Sequence, residues 1–269
     1  MATINTSYGH WKPMIQEQRR GISEPLRWIG EGWRVLMAAP GVSAALGITF
    51  TALCYLAYTA ANAQPLFSAT FLTLLLAVSP FLAAAGYAVA MQVAKGDRPT
   101  LGGCARSVAD RALSIGTFAV LSGLMMAAWV RLTGLAFALY YGTLGPSRSE
   151  VARVWVSGEA PVEMLVFLGI ATGLLAVALF TVAVFALPRI VAHNCDVVQA
   201  VIAGLRTIKA QPLVVVAWSV VLLALIGVAL VSQLVLMPLV FPLLAYATWF
   251  GYAALASEQP GVRAGQTGV

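Results

Sequence analysis

Leu213-Val-Val-Val-Ala-Trp-Ser-Val-Val-Leu-Leu-Ala-Leu-Ile-Gly-Val-Ala-Leu-Val-Ser-Gln-Leu234 carries no charged side chain. At a rise of 1.5 Å per residue, about 20 apolar residues cross the roughly 30 Å hydrocarbon core of a bilayer. With no water there to satisfy backbone N–H and C=O groups, a single stretch of this kind must be a helix. Working outward from it, five more stretches read the same way: Gly41 to Ala61, Leu66 to Ala94, Leu113 to Tyr140, Val162 to Ile190 and Leu239 to Ala256. The predicted fold is therefore all-α, a polytopic membrane protein with six transmembrane helices. The second, third and fourth stretches exceed the minimum length, so they are expected to tilt, kink or protrude.

Composition agrees with that reading. Apolar residues make up 60% of the 269-residue chain and charged residues 10%, with a mean hydropathy of +0.87. A soluble domain carries about 25% charged residues, so there is too little charge here to cover a soluble surface. This excludes a soluble enzyme, a disordered protein and a plain nucleic-acid binder. Cys54, Cys104 and Cys195 are far apart and form no metal-ligand or disulfide spacing, and read as free thiols.

The cations sort by side. Lys12, Arg19, Arg20, Arg27 and Arg34 precede the first span, Lys95, Arg98, Arg106 and Arg111 lie between the second and third, Arg189, Arg206 and Lys209 follow the fourth, and Arg263 is in the tail. On the other side only Arg148 and Arg153 lie in loops, and Arg131 stays within or at the edge of the third span. That bias predicts both termini in the cytoplasm of a bacterial cell and the spans in its inner membrane. The basic N-terminal segment lacks the layout of a cleavable signal peptide.

An internal repeat organises the chain. An offset of 172 pairs Glu24 with Asp196, Ile29 with Val201, Gly32 with Gly204, Trp33 with Leu205, Arg34 with Arg206, Leu36 with Ile208 and Pro40 with Pro212. A weaker middle copy places Arg106 and Val108 in the same register, and Pro80 to Tyr87 resembles Pro242 to Trp249. Each unit is predicted to be a short amphipathic interfacial helix followed by a transmembrane hairpin. The units run over about 23–96, 97–190 and 196–256, between a cytoplasmic tail at 1–22 and a disordered tail at 257–269.

In the first short helix, Leu26, Ile29, Trp33 and Leu36 or Met37 share one face, with Arg27, Glu31 and Arg34 opposite. Ser23 and Glu24 favour its start, and Glu31 is placed to pair with Arg27 and Arg34. In the last, Val197, Val201, Leu205 and Ile208 are expected to face lipid. Arg34, Arg106, Arg206 and Lys209 would then meet anionic headgroups of the inner leaflet.

Candidate sites are few. Ser79-Pro80 falls mid-span, where proline removes a hydrogen bond and can open a kink, and Pro242 occupies the matching place in the last unit. Packing by neighbours is the simpler expectation, with a substrate site the alternative. Arg131 is expected to snorkel to the far interface, with pairing to Glu163 next. Ser43 and Gly47, and Gly169 and Gly173, are small-xxx-small pairs that let helices approach closely; packing within the chain is the default for both, a partner subunit the minority reading.

The loop from Gly142 to Pro161 is expected to carry a short helix around Ser149 to Val156, anchored by Trp155. His193, Cys195 and Asp196 crowd the end of the fourth span without a tetrahedral metal spacing. No metal, no cofactor and no catalytic residue is assigned, since no phosphate loop, dinucleotide fingerprint, serine elbow or HExxH occurs.

The Gly32 to Pro40 segment entering the first span, the Ser79-Pro80 pair and the Arg189 to Asn194 stretch together resemble an uncharacterised family of six-span proteobacterial inner-membrane proteins, over roughly residues 20 to 256. That family is a domain of unknown function, and some members carry labels mentioning cytochrome c oxidase subunit I. The resemblance implies a respiratory association at most. An oxidase core needs several haem and copper histidines inside its spans, and His10 and His193 are the chain's two histidines.

The leading expectation is a non-catalytic accessory or scaffold subunit of a larger membrane complex, with inner-leaflet lipid and a membrane-protein partner or second copy as its contacts and no nucleic acid. A transporter or channel for a small or amphipathic molecule, with its site near Pro80, Pro242 and Arg131, is the alternative. A protein binding anionic lipid is the third.

Overall fold

The computed structural model describes residues 23–63, 68–142, 161–193 and 195–256. Among these the secondary structure is helical, with no strand. In chain order the helices are α1 (Glu24–Ala38), α2 (Pro40–Ala63), α3 (Ser68–Ala94), α4 (Leu101–Ala109), α5 (Ala112–Tyr141), α6 (Val162–Thr181), a π turn (Val182–Ala186), α7 (Leu187–His193), α8 (Val197–Ala210), α9 (Pro212–Val231) and α10 (Met237–Ala256). Six stretches are long and apolar enough to cross a membrane: Pro40–Ala60, Thr73–Ala94, Ala112–Tyr141, Val162–His193, Pro212–Val231 and Met237–Ala256. The protein is thus a multi-pass membrane protein, helical throughout its spans.

Five of the six spans match the sequence reading to within about three residues, the second begins at Thr73 instead of Leu66, and the differences at the ends of the fourth and fifth have visible causes. The fifth stops at Val231 instead of Leu234 because Gln233 and Leu234 take φ values of 52° and 69°, a left-handed backbone that no helix continues through. The fourth runs on through a π turn, directly ahead of Pro188. A proline nitrogen cannot donate to the carbonyl one turn back, and a wider turn absorbs the mismatch. The tails, the Ser149 to Val156 segment and Trp155 lie outside the described residues.

The last span is the hub. α10 packs on α1, α2 and α3, and its apolar residues Leu243, Tyr246, Ala247, Trp249 and Leu255 are buried on several sides. Leu243, Tyr246 and Trp249 join Ala84 to Ala90 of α3, Ile115 and Phe118 of α5, and Ala186 to Val191 of the fourth span in one core, while Ala247 and Leu255 pack with Trp28, Phe185 and Trp218 in a second. The first core sits where the three short helices gather. The end of the bundle holding α1, α4 and α8 is called the basic end below, and the opposite end the far end.

The short helices do not lie free on a surface. α1 leans on α10, α4 on α3, and α8 on the π turn of the fourth span. This changes which residues are covered. On α1 the buried face is Pro25, Trp28, Gly32, Val35 and Leu36, while Leu26, Trp33 and Met37 are exposed. On α8 it is Val197, Ala200, Ala203, Gly204 and Thr207, with Leu205 exposed and Val201 and Ile208 half-buried. The expected lipid-facing stripes are therefore rotated by about a residue, because the neighbouring span claims the face carrying the glycine. Four pairs of positions 172 apart are buried alike, Pro25 and Val197, Trp28 and Ala200, Gly32 and Gly204, and Val35 and Thr207, whereas Leu36 is buried and Ile208 half-buried. Arg34 and Arg206 are both exposed.

Glycine explains the close seat of α1. A methyl group on Gly32 would stand 3.1 Å from both Ala247 N and Leu243 O, and one on Gly251 would press on the Trp28 ring at 2.7 Å. Trp28 then meets Trp218 edge to face, with ring centroids 5.4 Å apart, a geometry that aligns the positive rim of one ring with the negative face of the other.

Candidate functional site

Three places deserve description as sites: the basic end, the buried polar pair beneath it, and the far end.

At the basic end, Arg34 donates to Glu31 at 2.8 and 3.0 Å, and Arg27 pairs with Glu24 at 2.9 Å rather than with Glu31. Both arginines remain more than half exposed, so these pairs contribute a few tenths of a kcal/mol, about 1 kcal/mol at most. Ser23 precedes α1 without a side-chain capping bond, and Pro25 in the first turn sets the helix direction. Arg106, Arg206 and Lys209 are exposed and form no ion pair with a described residue. They point away from the faces that α4 and α8 bury, Cys104 on α4 and Gly204 on α8. α4 is started by Thr100, whose hydroxyl accepts from Gly103 N at 3.1 Å, a normal N-cap.

Two further cations belong to this end, Arg111 and Arg189, which the sequence counts on this side without assigning them a role. Arg111 donates through Nη1 to the Ser107 carbonyl at 3.0 Å and to the Ser107 hydroxyl at 3.2 Å, while its Nε is buried without a partner. Arg189 likewise holds its Nε buried and unmatched, beside Cys195. Burial pushes the Cys195 thiol up, and the nearby Arg189 guanidinium acts in the opposite direction more weakly. Burial also pushes the Cys104 thiol up. No group of three or more His, Cys, Asp or Glu residues that could hold a metal occurs among the described residues.

Beneath the basic end a single polar pair joins two spans. Ser43 Oγ lies 2.8 Å from Tyr246 Oη, and also donates to the Ala39 carbonyl at 2.8 Å. Four residues on, Gly47 abuts Pro238, and a methyl group there would overlap the Pro238 carbonyl. The Ser43 and Gly47 pair is thus a seam between α2 and α10. Gly169 and Gly173 behave differently: both are exposed, and nothing stands within 4 Å of where their side chains would begin. The expected intramolecular packing of this second small-residue pair does not occur, because α5 covers the opposite face of α6 through Met164 and Leu168.

The proposed transport constellation is not assembled. α3 and α10 run unbroken through Pro80 and Pro242, which are both buried. Ser79 Oγ bonds its own helix at the Leu76 carbonyl, 3.1 Å away. Packing, not an open break, is what these prolines meet. Gly116 faces Phe81 and Gly123 faces Thr73 across the α3–α5 contact, so Arg131 lies about 22 Å along α5 from the level of Pro80. It is exposed, near the far end of α3, and makes no ion pair with Glu163. The neighbouring Trp129 instead donates to Thr172 of α6 at 3.0 Å.

Beyond Arg131 the α5–α6 hairpin continues with Leu132, Leu135, Leu139, Val166 and Phe167 exposed. On α2, an apolar groove opens against the α9–α10 turn.

A family described as "Predicted integral membrane protein (DUF2189)" has a model that matches residues 64–192, from just ahead of α3 to near the end of α7. The chain is similar to an uncharacterised membrane family over that part. No curated protein and no solved structure matches.

Proposed function

We propose that this chain is a non-catalytic scaffold or accessory subunit of a larger membrane complex, held in a bacterial inner membrane with both termini in the cytoplasm. The observation that carries this reading is the sealed centre: Ala84, Val89 and Ala90 of α3, Ala186 of the π turn, and Tyr246 and Ala247 of α10 have no accessible surface. A transport path needs polar groups lining a shared cavity near the membrane middle, and the polar contacts between spans, Ser43–Tyr246 beneath the basic end and Trp129–Thr172 farther along α5, are hydrogen-bonded pairs. A scaffold needs a rigid body with uncovered faces. The Gly169 and Gly173 face and the extended α5–α6 hairpin offer such faces, suited to another helix.

Three units, each a short helix plus a hairpin, support the same reading. Each short helix leans on the second span of the preceding unit, and α1 of the first leans on α10 of the last, which closes the set into a ring.

Native mass spectrometry of the tagged full chain, extracted gently from its own membrane, tests the proposal. A stoichiometric membrane-protein partner is expected, and its identity would name the process, respiratory or other. A lone monomer or a homo-oligomer would overturn the accessory role.

A second reading, binding of anionic inner-leaflet phospholipid, is favoured by Arg106, Arg206 and Lys209, which are exposed and form no ion pair among the described residues. Combined Ala substitution at Arg34, Arg106 and Arg206 is expected to lower retention of anionic lipid, and unchanged retention would sink this reading.

A further inference from the structure

The repeat places Arg34 and Arg206 in equivalent positions but does not give them equivalent neighbours. On α1, Arg34 Nη1 donates to both oxygens of Glu31, at 2.8 and 3.0 Å, and Arg27 Nη1 donates to Glu24 at 2.9 Å. Two cations there are matched by two carboxylates one turn away. At the offset of 172, the equivalent of Arg27 is Gln199, that of Glu31 is Ala203 and that of Met37 is Lys209. Ala203 is buried, so no carboxylate takes the place of Glu31 beside Arg206. The equivalent of Glu24 is Asp196, ten residues before Arg206 and about 15 Å from it along the helix axis.

Arg206 and Lys209 are three residues apart, hence neighbours on the helix surface. Both are exposed, with no ion pair to a described residue. Like charges so placed repel, and an anion shared between them removes the repulsion. Their position limits what that anion is attached to. Pro212 opens α9, a span without a charged residue through Val231, and Leu213 and Val216 are exposed in its first two turns. Cations one to two turns ahead of such a span stand where water gives way to hydrocarbon, with uncovered apolar side chains just beyond. A phosphodiester carrying acyl chains meets both, whereas a free phosphate meets only the cations. Arginine offers phosphate oxygens a planar fork and lysine a point charge. On α4, Gly103 stands at the place of Glu31 and Ala109 at that of Met37, which leaves Arg106 as the one cation of that helix.

We propose that the anionic-lipid site is on α8 and not on α1. Arg206 and Lys209 together hold the phosphodiester of an acidic phospholipid such as phosphatidylglycerol, with its chains along the start of α9, and Arg34 takes little part because Glu31 already neutralises it. This rests on the lipid-binding reading above and names the site within it. The repeated units are then alike in fold and unequal in function.

Native mass spectrometry of the full chain in detergent, titrated with phosphatidylglycerol or phosphatidylcholine, tests it. At about five-fold per basic residue, the R206Q/K209Q variant is expected to weaken phosphatidylglycerol binding at least about ten-fold and to leave phosphatidylcholine unchanged. Arg34→Gln should lower phosphatidylglycerol binding by less than about two-fold. Glu31→Gln removes the partner of Arg34 and should raise phosphatidylglycerol binding about two- to five-fold, a gain that damage to the fold would not produce. Equal losses in Arg34→Gln and R206Q/K209Q would overturn the proposal, as would a silent Glu31→Gln. An equal loss of phosphatidylcholine would reveal a contact with chains alone, and displacement by inorganic phosphate a site for a free anion; either overturns it. If R206Q/K209Q is silent while R34A/R106A/R206A still loses lipid, this site falls and the lipid reading stands. If both are silent, the lipid reading falls with it.

Discussion

Gly47 and Pro238 sit backbone against backbone, so close that any side chain on residue 47 would overlap the Pro238 carbonyl. This contact joins the first hairpin to the third and sets the height at which α10 begins. Gly47→Ala must therefore push α2 and α10 apart, and overpacking of this kind costs about 1–3 kcal/mol. A fall in thermal unfolding midpoint in detergent is the expected reading. Gly169→Ala, where nothing stands within 4 Å, should stay within about 0.5 kcal/mol of the parent.

Trp28 holds α1 in place. Its ring is 3% exposed, lies over Gly251 and meets Trp218. Trp28→Ala removes that contact and leaves a cavity, at a cost of about 3–5 kcal/mol. Hydrogen exchange should show the amides of 24–38 opening first, with α3 and α5 less affected. Uniform loss of protection along the chain would mean that α1 is not a separable unit.

The Ser43–Tyr246 contact is suited to a double-mutant cycle. Ser43→Ala and Tyr246→Phe each remove one oxygen from a buried pair 2.8 Å apart. Ser43→Ala strands the Tyr246 hydroxyl, whereas Tyr246→Phe leaves Ser43 bonded to the Ala39 carbonyl, and the double variant should be more stable than the sum of the singles by about 1 kcal/mol. Additive effects would show that the two hydroxyls do not interact.

Arg131 and Glu163 should be independent. Arg131 is exposed at the far end and is unpaired with Glu163, so Glu163→Gln and Arg131→Gln should each change stability by under about 0.5 kcal/mol and combine additively. An arginine placed at Leu124, about 10 Å deeper along α5, cannot reach the interface so readily. Its insertion cost should rise toward the roughly 2.5–3.5 kcal/mol of a mid-membrane cation, which reduced yield of membrane-integrated protein would report.

Cys195 lies outside the spans, and burial raises its pKa despite Arg189 nearby. Raising the pKa of a thiol favours the neutral form, so the reactive thiolate appears only at higher pH than in an unperturbed cysteine, near 8.5. Alkylation at Cys195 in a C54S/C104A background should rise with pH later than that of the denatured chain. Arg189→Gln removes the one cation acting to lower it and should move the profile further up. A profile matching the denatured chain would show the thiol to be solvated.

Much of this protein could be read from composition and spacing. Six apolar runs follow from hydrophobic length alone, since in lipid the backbone has no alternative to the helix, while an end such as Val231 is set by the left-handed turn at Gln233 and Leu234. Gly32 and Gly204, paired at an offset of 172, are both buried, and at Gly32 a side chain would crowd Ala247 and Leu243. The covered face of α1 was not legible in the same way. Trp28 and Trp33 are equally apolar, and only the position of α10 decides that Trp28 is enclosed and Trp33 left outside.

The same division holds for the sites. Sequence alone determined that this is a helical membrane protein with cations gathered on one side, because transfer of charge and apolar surface between water and lipid depends on residue type and run length. Tertiary structure decided which small residues meet a neighbour, since Ser43-xxx-Gly47 and Gly169-xxx-Gly173 are alike as strings but only the first finds a facing helix. It also decided that Pro80, Pro242 and Arg131 share no cavity. Relative heights and facing surfaces are properties of several helices packed together, and no one segment encodes them.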